Sequence, residues 1–304
     1  MPTVLLHGGL GNQLFQYAVG RALSVRTNSD LKLDCSRLPR EYDTPTTPRR
    51  PQLHKFHTRG EFVHEPIEEH PLRRVRLKIF SILREINAAF AARVCRVHRD
   101  QTPQQFAPEV LDVPGHSFLY GYYQSEKYFA PIRPTIRKEI SLRAALTGPN
   151  RSWKKQIQAT NSVAVHVRRG DYARRGWQLP PAYYRSAIAE IQSSHGTVDL
   201  FFFSDDLSWV RAHIDALLPR SGSPPTVHYV DSNDGETVPY DLVLMSHCRH
   251  NVIANSTLSW WGAWLNDNPQ KTVLAPAYWI RKPVDELDVI PERWSPLDWR
   301  SSGS

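Results

Sequence analysis

The strongest constraint on the fold is a rhythm that begins after Pro149. Short runs of apolar, β-branched and aromatic residues at 163–167, 200–203, 227–230, 252–254 and 272–274 alternate with helical spacing near 182–193, 207–218, 237–248 and 256–266. Five strands separated by helices predict a parallel sheet covered on both faces, a Rossmann-like domain. Ligands of such sheets lie beyond the carboxyl ends of the strands, so the residues following each strand are where chemistry is expected. The chain also opens in this way. Val4-Leu5-Leu6 runs into Gly8-Gly9-Leu10-Gly11, after which Leu14, Phe15, Ala18, Val19, Ala22 and Leu23 recur at helical spacing. A strand, a glycine turn and a helix predict a second α/β unit. The expected organisation is an α/β domain over 1–150, a Rossmann-like domain over 151–280 and a tail, 281–304, packed back on the first domain.

The stretch 38–71 is rich in Pro, His and charge without a period and predicts a long loop. Residues 72–98 carry an apolar stripe through Leu72, Val75, Ile79, Ile82, Leu83, Ile86, Phe90, Val94 and Val97, flanked by eight Arg and Lys up to Arg99. That is an amphipathic, strongly basic helix or helix pair, its stripe turned to the domain core or, alternatively, docked on an anionic membrane. It explains the charge. The chain of 304 residues carries +8, yet residues 1–150 hold 22 basic and 14 acidic side chains while 151–304 hold 16 of each. A basic nucleic-acid or anion binder without catalysis is one reading of that excess, but the half with the sharpest motifs is neutral. No window offers the ~18 apolar residues of a membrane span, and the first glycines come too early for a signal peptide. A cytoplasmic protein, peripheral at the inner membrane face if the basic stretch docks there, is the expectation. Cys35, Cys95 and Cys248 are widely spaced and predict buried free thiols.

Four segments can carry chemistry. After the run at 163–167 stands His166-Val167-Arg168-Arg169-Gly170-Asp171-Tyr172, whose paired arginines form a fork of donors suited to a diphosphate. The next strand runs into Ser204-Asp205-Asp206, where one carboxylate caps a helix and the other is available to a base or ribose. Asn255-Ser256-Thr257-Leu258-Ser259 puts small polar groups at the start of a helix, an anion site by its dipole. Its three following tryptophans, Trp260, Trp261 and Trp264, read in the main as core. The first glycine turn lacks the third glycine of a dinucleotide motif. Its Gly9 permits close approach, and Asn12, Gln13 and Gln16 are the neutral two-way groups that read sugar hydroxyls. A nucleotide-diphosphate half beside a polar, neutral half suits sugar transfer from a nucleotide to an uncharged hydroxylated acceptor.

On these residues the chain resembles the α-1,2-fucosyltransferases of glycosyltransferase family 11. Besides the segments above, the resemblance runs through Gly121-Tyr122-Tyr123-Gln124-Ser125-Glu126-Lys127-Tyr128-Phe129 and Trp260-Trp261-Gly262-Ala263-Trp264-Leu265, in the family's order. Residues 38–110 and those after Pro276 match loosely. The resemblance implies a GT-B architecture, two Rossmann-like domains facing a cleft, with GDP-β-L-fucose on the carboxyl-terminal one. It implies donor contacts from His166, Arg168, Arg169, Ser204, Asp205, Asn255, Ser256, Thr257 and Ser259, and acceptor contacts from Gly9, Asn12, Gln13, Gln16 and Tyr172. The implied acceptor is a galactose-terminated oligosaccharide or lipid-linked glycan, of the kind met in O-antigen synthesis. The implied reaction inverts the anomeric centre, with Arg168 in place of a metal, no cofactor, and Asp171 or His7 as the base. Asp171 can equally orient the arginines. Fucosyl transfer to protein or in α-1,6 linkage is the alternative within the same chemistry.

Overall fold

The computed structural model describes residues 1–38, 50–64, 78–79, 82–83, 96–100, 102–220 and 222–298. The chain divides into two units, 1–43 with 49–143, and 44–48 with 144–304. Each is built on a parallel sheet, as the alternation requires, and the boundary falls at Arg143 rather than at 150.

The first unit carries β1 (Thr3–Leu5), α1 (Leu10–Arg26), β2 (Lys32–Asp34), β3 (Glu61–Val63), β4 (Val97–Arg99), β5 (Phe118–Tyr120) and α2 (Arg133–Glu139). Its sheet has the order β3-β2-β1-β5-β4, with every described pairing parallel. α1 is buried on nearly all sides, with Leu14, Phe15, Tyr17, Ala18, Val19 and Leu23 fully covered. Each large apolar side chain so buried contributes about 1.5–3 kcal/mol. Two expectations change here. The predicted loop at 38–71 contains β3, a three-residue strand that pairs with β2 through its backbone and so leaves no side-chain period to read. The predicted basic helix at 72–98 falls mainly outside the described residues, but its last positions are strand: Val97 pairs with Phe118 and is buried. Of the stripe, Ile79 and Ile82 are 42% and 66% exposed, so the core-facing reading does not hold for these two.

The second unit carries α3 (Gly148–Ala159), β6 (Ser162–Val167), α4 (Gly170–Arg175), α5 (Pro181–His195), β7 (Asp199–Ser204), α6 (Leu207–Ala212), α7 (Ile214–Leu217), β8 (Thr226–Tyr229), α8 (Val238–His247), β9 (His250–Val252), α9 (Thr257–Leu265) and β10 (Val273–Pro276). A hairpin of β11 (Tyr278–Trp279) and β12 (Lys282–Pro283) precedes β13 (Ser295–Leu297). The main sheet has the order β13-β10-β9-β6-β7-β8, parallel throughout. Alternating side chains feed two cores. Val163, Val165 and Val167 pack with Tyr183, Ile188 and Ile191 of α5 on one face, while Ala164, Phe201 and Phe203 pack with Ile157, Leu244 and Met245 on the other. The tail to residue 298 belongs to this unit: β13 adds itself beside β10, and Trp260 donates Nε1–H to the Val289 carbonyl at 2.6 Å. The tail thus contributes a strand to the second unit, where an open edge of the sheet takes up its backbone hydrogen bonds. Trp260, Trp261 and Trp264 are all buried. Cys35 and Cys248 are buried free thiols, and burial pushes Cys35 up to about 12; Cys95 lies outside the described residues. Among the described residues no helix is long and apolar enough to cross a membrane.

Candidate functional site

The order of the second sheet places its ligand crevice. From β6 the chain proceeds outward through β7 and β8 on one side, then returns to lay β9, β10 and β13 on the other, so the direction of winding switches between β6 and β9. The segments that leave these two strands are Arg168-Arg169 and Asn255-Ser256-Thr257, two of the segments picked out by residue chemistry.

Arg168 is held from two sides. Its Nη2 lies 2.5 Å from Asp171 Oδ1 and its Nη1 2.7 Å from Asp205 Oδ2, all three side chains being 13–14% exposed. Burial disfavours its charge, but Asp205 and Asp171 outweigh burial and raise its pKa further above the ordinary arginine value. The contact with Asp171 is a hydrogen bond, while that with Asp205 Oδ2 is an ion pair by distance. Arg169 donates its backbone N–H to Asp205 Oδ1 at 2.8 Å and its Nε–H to Asp206 Oδ2 at 3.2 Å, with its guanidinium carbon 3.8 Å from the centre of the Trp209 ring. Asp206 caps α6 through the amide of Trp209, and Ser204 Oγ accepts the amide of Asp206. Asp205 is therefore the hub, bound to both arginines. The chain approaches it so closely at Gly170 that a Cβ there would lie 2.3 Å from Asp205 Oδ2.

The β9 side is tied to the same place. Tyr172 donates its hydroxyl to the Asn255 carbonyl at 3.2 Å, Asn255 Nδ2 donates to the Trp177 carbonyl at 2.9 Å, and Tyr172 stacks edge-on to Trp177. Asn255 is 1% exposed and its Oδ1 has no hydrogen-bond partner among the described residues. Ser256 caps α9 without using its hydroxyl, and Thr257 is half-buried. Ser259 is spent internally, donating to the carbonyls of Ala254 and Ser256.

His166 is buried, its Nδ1 has no partner among the described residues, and burial with the charge of Arg168 lowers it to about 3, so it is neutral. By alternation it shares a face of the sheet with Ala164, the face covered by α8. The first turn of α8 carries an acid that the sequence reading missed. Asp241 is raised to about 7 by burial, against a hydrogen bond from Asn233 Nδ2 at 2.7 Å. Asn233 in turn exchanges two amide bonds with Asn150 at the start of α3. Nothing in an isolated Asp at the head of an apolar helix signals this; the network joins residues 150, 233 and 241 only in the fold.

In the first unit, Gly8 and Gly9 lead from β1 into α1. Gly8 has φ +76°, and a Cβ there would stand 2.7 Å from Asn12 Nδ2. Gln13 and Gln16 are 0% exposed. Gln16 receives the His7 amide and donates to the Gly121 carbonyl, and Gln13 donates to the carbonyls of Gly8 and Arg50 while accepting the Gln52 amide. Their amides are spent on holding the turn. Asn12 is half-buried and accepts from Gln124 through Oδ1. His7 is buried; burial and then the charge of Arg37, against a hydrogen bond with the Gly121 backbone, lower it to about 4.

The arrangement in the second unit offers fixed cations and a helix start at a sheet switch point, the equipment for an anionic group. A family model described as "Glycosyl transferase family 11" matches residues 101–292. The chain is 32% identical over 299 residues to an alpha-1,2-colitosyltransferase of Escherichia coli, the match covering 95% of this chain and 96% of that one. It is 30% identical over 304 residues to the O-antigen biosynthesis glycosyltransferase WbnK of the same organism, covering 90% and 93%. Against the galactoside 2-alpha-L-fucosyltransferase Sec1 of Mus musculus it is 28% identical over 165 residues, covering 50% and 43%.

Proposed function

Since the chain belongs to glycosyltransferase family 11, we propose that it transfers L-fucose from GDP-β-L-fucose to the 2-hydroxyl of a terminal β-galactoside, inverting the anomeric centre without a metal. The observation that carries this reading is Arg168, held charged by two carboxylates at the β6/β9 switch point.

In the proposed reaction the galactose 2-oxygen forms the new bond to C1 while the bond from C1 to the diphosphate oxygen breaks and GDP leaves. Negative charge grows on that oxygen. The fixed charge of Arg168, with the helix start at Ser256 and Thr257, suits such charge, since preorganised cations and helix dipoles lower a barrier of this kind. Arg169, stacked on Trp209, supplies a second guanidinium. The buried, neutral His166 and the Asp241–Asn233 pair suit the base of the nucleotide, since a carboxyl and amides match its donors and acceptors. Asp171, whose Oδ1 is in ion-pair contact with the guanidinium, is assigned to position Arg168. His7, the second candidate for the base, is lowered to about 4 by burial, which makes it a weak proton acceptor.

A second donor is favoured by the similarity to a colitosyltransferase. Colitose is fucose without its 3-hydroxyl, so one site can discriminate by that single group. Incubation of the protein and EDTA with lactose and either GDP-fucose or GDP-colitose, with the linkage mapped by NMR, tests both readings. An α-1,2-fucosylated product is expected. Another linkage, transfer only from GDP-colitose, or a requirement for divalent metal overturns the corresponding part, and turnover by Arg168→Ala overturns the role of Arg168.

A further inference from the structure

The sheet of the second unit has an end that the donor chemistry leaves unused. Ligands of a parallel α/β sheet lie beyond the carboxyl ends of its strands, but here the amino ends of three neighbouring strands, β10, β9 and β6, border a cavity of about 490 Å³. Asn161 stands just before β6, Arg249 just before β9 and His250 at its first residue; Asn268 and Gln270 lead into β10, and His195 closes α5. β6 spans six residues. The cavity and the arginine fork therefore stand at opposite ends of a strand about 17 Å long.

The cavity gathers basic groups, and among the described residues no acid lines it. The rings of His195 and His250 stack, 3.8 Å between centres and 30° between planes. Thr272 holds both: its amide donates to His250 Nδ1 at 3.1 Å, and its hydroxyl lies 2.8 Å from His195 Nε2. Burial, then the charges of His195 and Arg249, lower His250 to about 4, so the ring is neutral and, with Nδ1 accepting, carries its proton on Nε2. That nitrogen is an N–H donor, not a metal ligand. Arg249 is tied down through its backbone, which donates to Ser162 Oγ and accepts from Asn268 Nδ2; the residue is exposed, and its guanidinium makes no ion pair or hydrogen bond among the described residues. Asn161 spends its Nδ2 on the carbonyls of His195 and Thr197 and keeps Oδ1 as an acceptor. The side-chain amide of Gln270 has no partner among the described residues.

Two imidazoles and a guanidinium held together without an acid make a positive field, in which each cation disfavours charge on its neighbours. An anion placed among them reverses that cost. A guanidinium beside an N–H matches the oxygens of a phosphate through charge-assisted hydrogen bonds, and the volume is that of a small-molecule site rather than of a lone ion. We propose that this cavity binds a small hydroxylated phosphate monoester, the phosphate on the Arg249 guanidinium and His250 Nε2–H, the hydroxyls of the carrier on Asn161 Oδ1 and the Gln270 amide. The occupant is not a substrate of the transfer, because it sits a strand's length from the fork. Its effect is on the fold: a ligand held by the folded chain alone adds its binding free energy to the stability of the sheet that carries Arg168.

Calorimetry with ribose 5-phosphate, ribose and inorganic phosphate tests this, on the wild-type protein and on Arg168→Ala, which removes the cation at the other end of the sheet. Ribose 5-phosphate should bind both proteins with a Kd below about 1 mM, bind more weakly as salt rises, and raise the melting temperature. Ribose alone should not bind, and inorganic phosphate should bind about tenfold more weakly than the ester for want of the carrier hydroxyls. Arg249→Gln, a replacement at an exposed position, should weaken the ester at least tenfold while leaving the melting temperature of the unliganded protein and the kinetics of transfer unchanged. Arg249→Lys, which keeps the charge but not the fork, should retain part of the affinity. Absence of saturable binding, binding that survives Arg249→Gln, or binding lost in an Arg168→Ala protein that still melts cooperatively overturns the proposal. Inorganic phosphate binding as tightly as the ester overturns the monoester and marks a site for the free anion. None of these outcomes bears on the transferase reading, which the GDP-fucose incubation tests by itself.

Discussion

Asp171→Asn separates positioning from general-base catalysis with a single atom change. In the structure Asp171 Oδ1 lies 2.5 Å from Arg168 Nη2, while Asp205 holds Nη1 at 2.7 Å. The variant keeps the shape and one hydrogen-bonding oxygen but removes one of the two negative charges that fix the guanidinium. Hydrogen bonds to charged groups contribute about 1.5–3 kcal/mol, and the pair is only 14% exposed, so solvent screens it little. Because Asp205 keeps its contact, a loss near 2 kcal/mol is expected, which is about thirtyfold in kcat/KM. The loss should fall on the donor side, as a raised Kd for GDP by calorimetry and a raised donor KM, with the shape of the pH profile retained. If Asp171 were the base, kcat would drop by about 10²–10⁴ with GDP affinity intact, and the acidic limb of the profile would vanish. That second pattern refutes the positioning role.

Other outcomes follow from the same geometry. Gly170→Ala puts a methyl carbon 2.3 Å from Asp205 Oδ2, so Asp205 must shift and its contacts with both arginines are disturbed; GDP binding should fall at least tenfold, by about 1.4 kcal/mol, in a protein that still melts cooperatively. Gln16→Leu removes the acceptor of the His7 amide and one donor to the Gly121 carbonyl, and thermal melting should show a loss of about 1–3 kcal/mol. Acid should destabilise the fold between pH 6.5 and 4, because His166, His7 and His250, lowered to about 3, 4 and 4, take up protons in the unfolded chain before the folded one. Each contributes a slope of about 1.4 kcal/mol per pH unit, lost as pH falls. Asp241, raised to about 7, works in the opposite sense over pH 4–7, so Asp241→Asn should steepen the acid loss seen in denaturant titrations. Neutralising the Arg and Lys of 72–99 should weaken binding to anionic liposomes if the basic stretch docks on membranes; unchanged binding removes that use of the stretch.

The rhythm of apolar runs and helical spacing after Pro149 by itself determined the parallel sheet of the second unit, because buried strands and two-sided helices leave periods that survive in one dimension. The arginine fork was equally legible: two guanidinium groups at a strand end have few purposes other than an anion. Short backbone-paired strands left no such trace, so β3 and β4 were hidden in a loop and in an apolar stripe, and β13 in a tail. Side-chain commitment was hidden too. Gln13 and Gln16 look like sugar readers in sequence, but the fold uses their amides to close the first turn. Asp205, an ordinary helix-start acid in sequence, becomes the partner of both arginines only because β7 lies beside β6. The Asp241 network and the His195–His250 pair each gather residues distant in sequence. Composition and period fix which surfaces must be buried; which polar groups meet is decided by strand order, and strand order exists only in three dimensions.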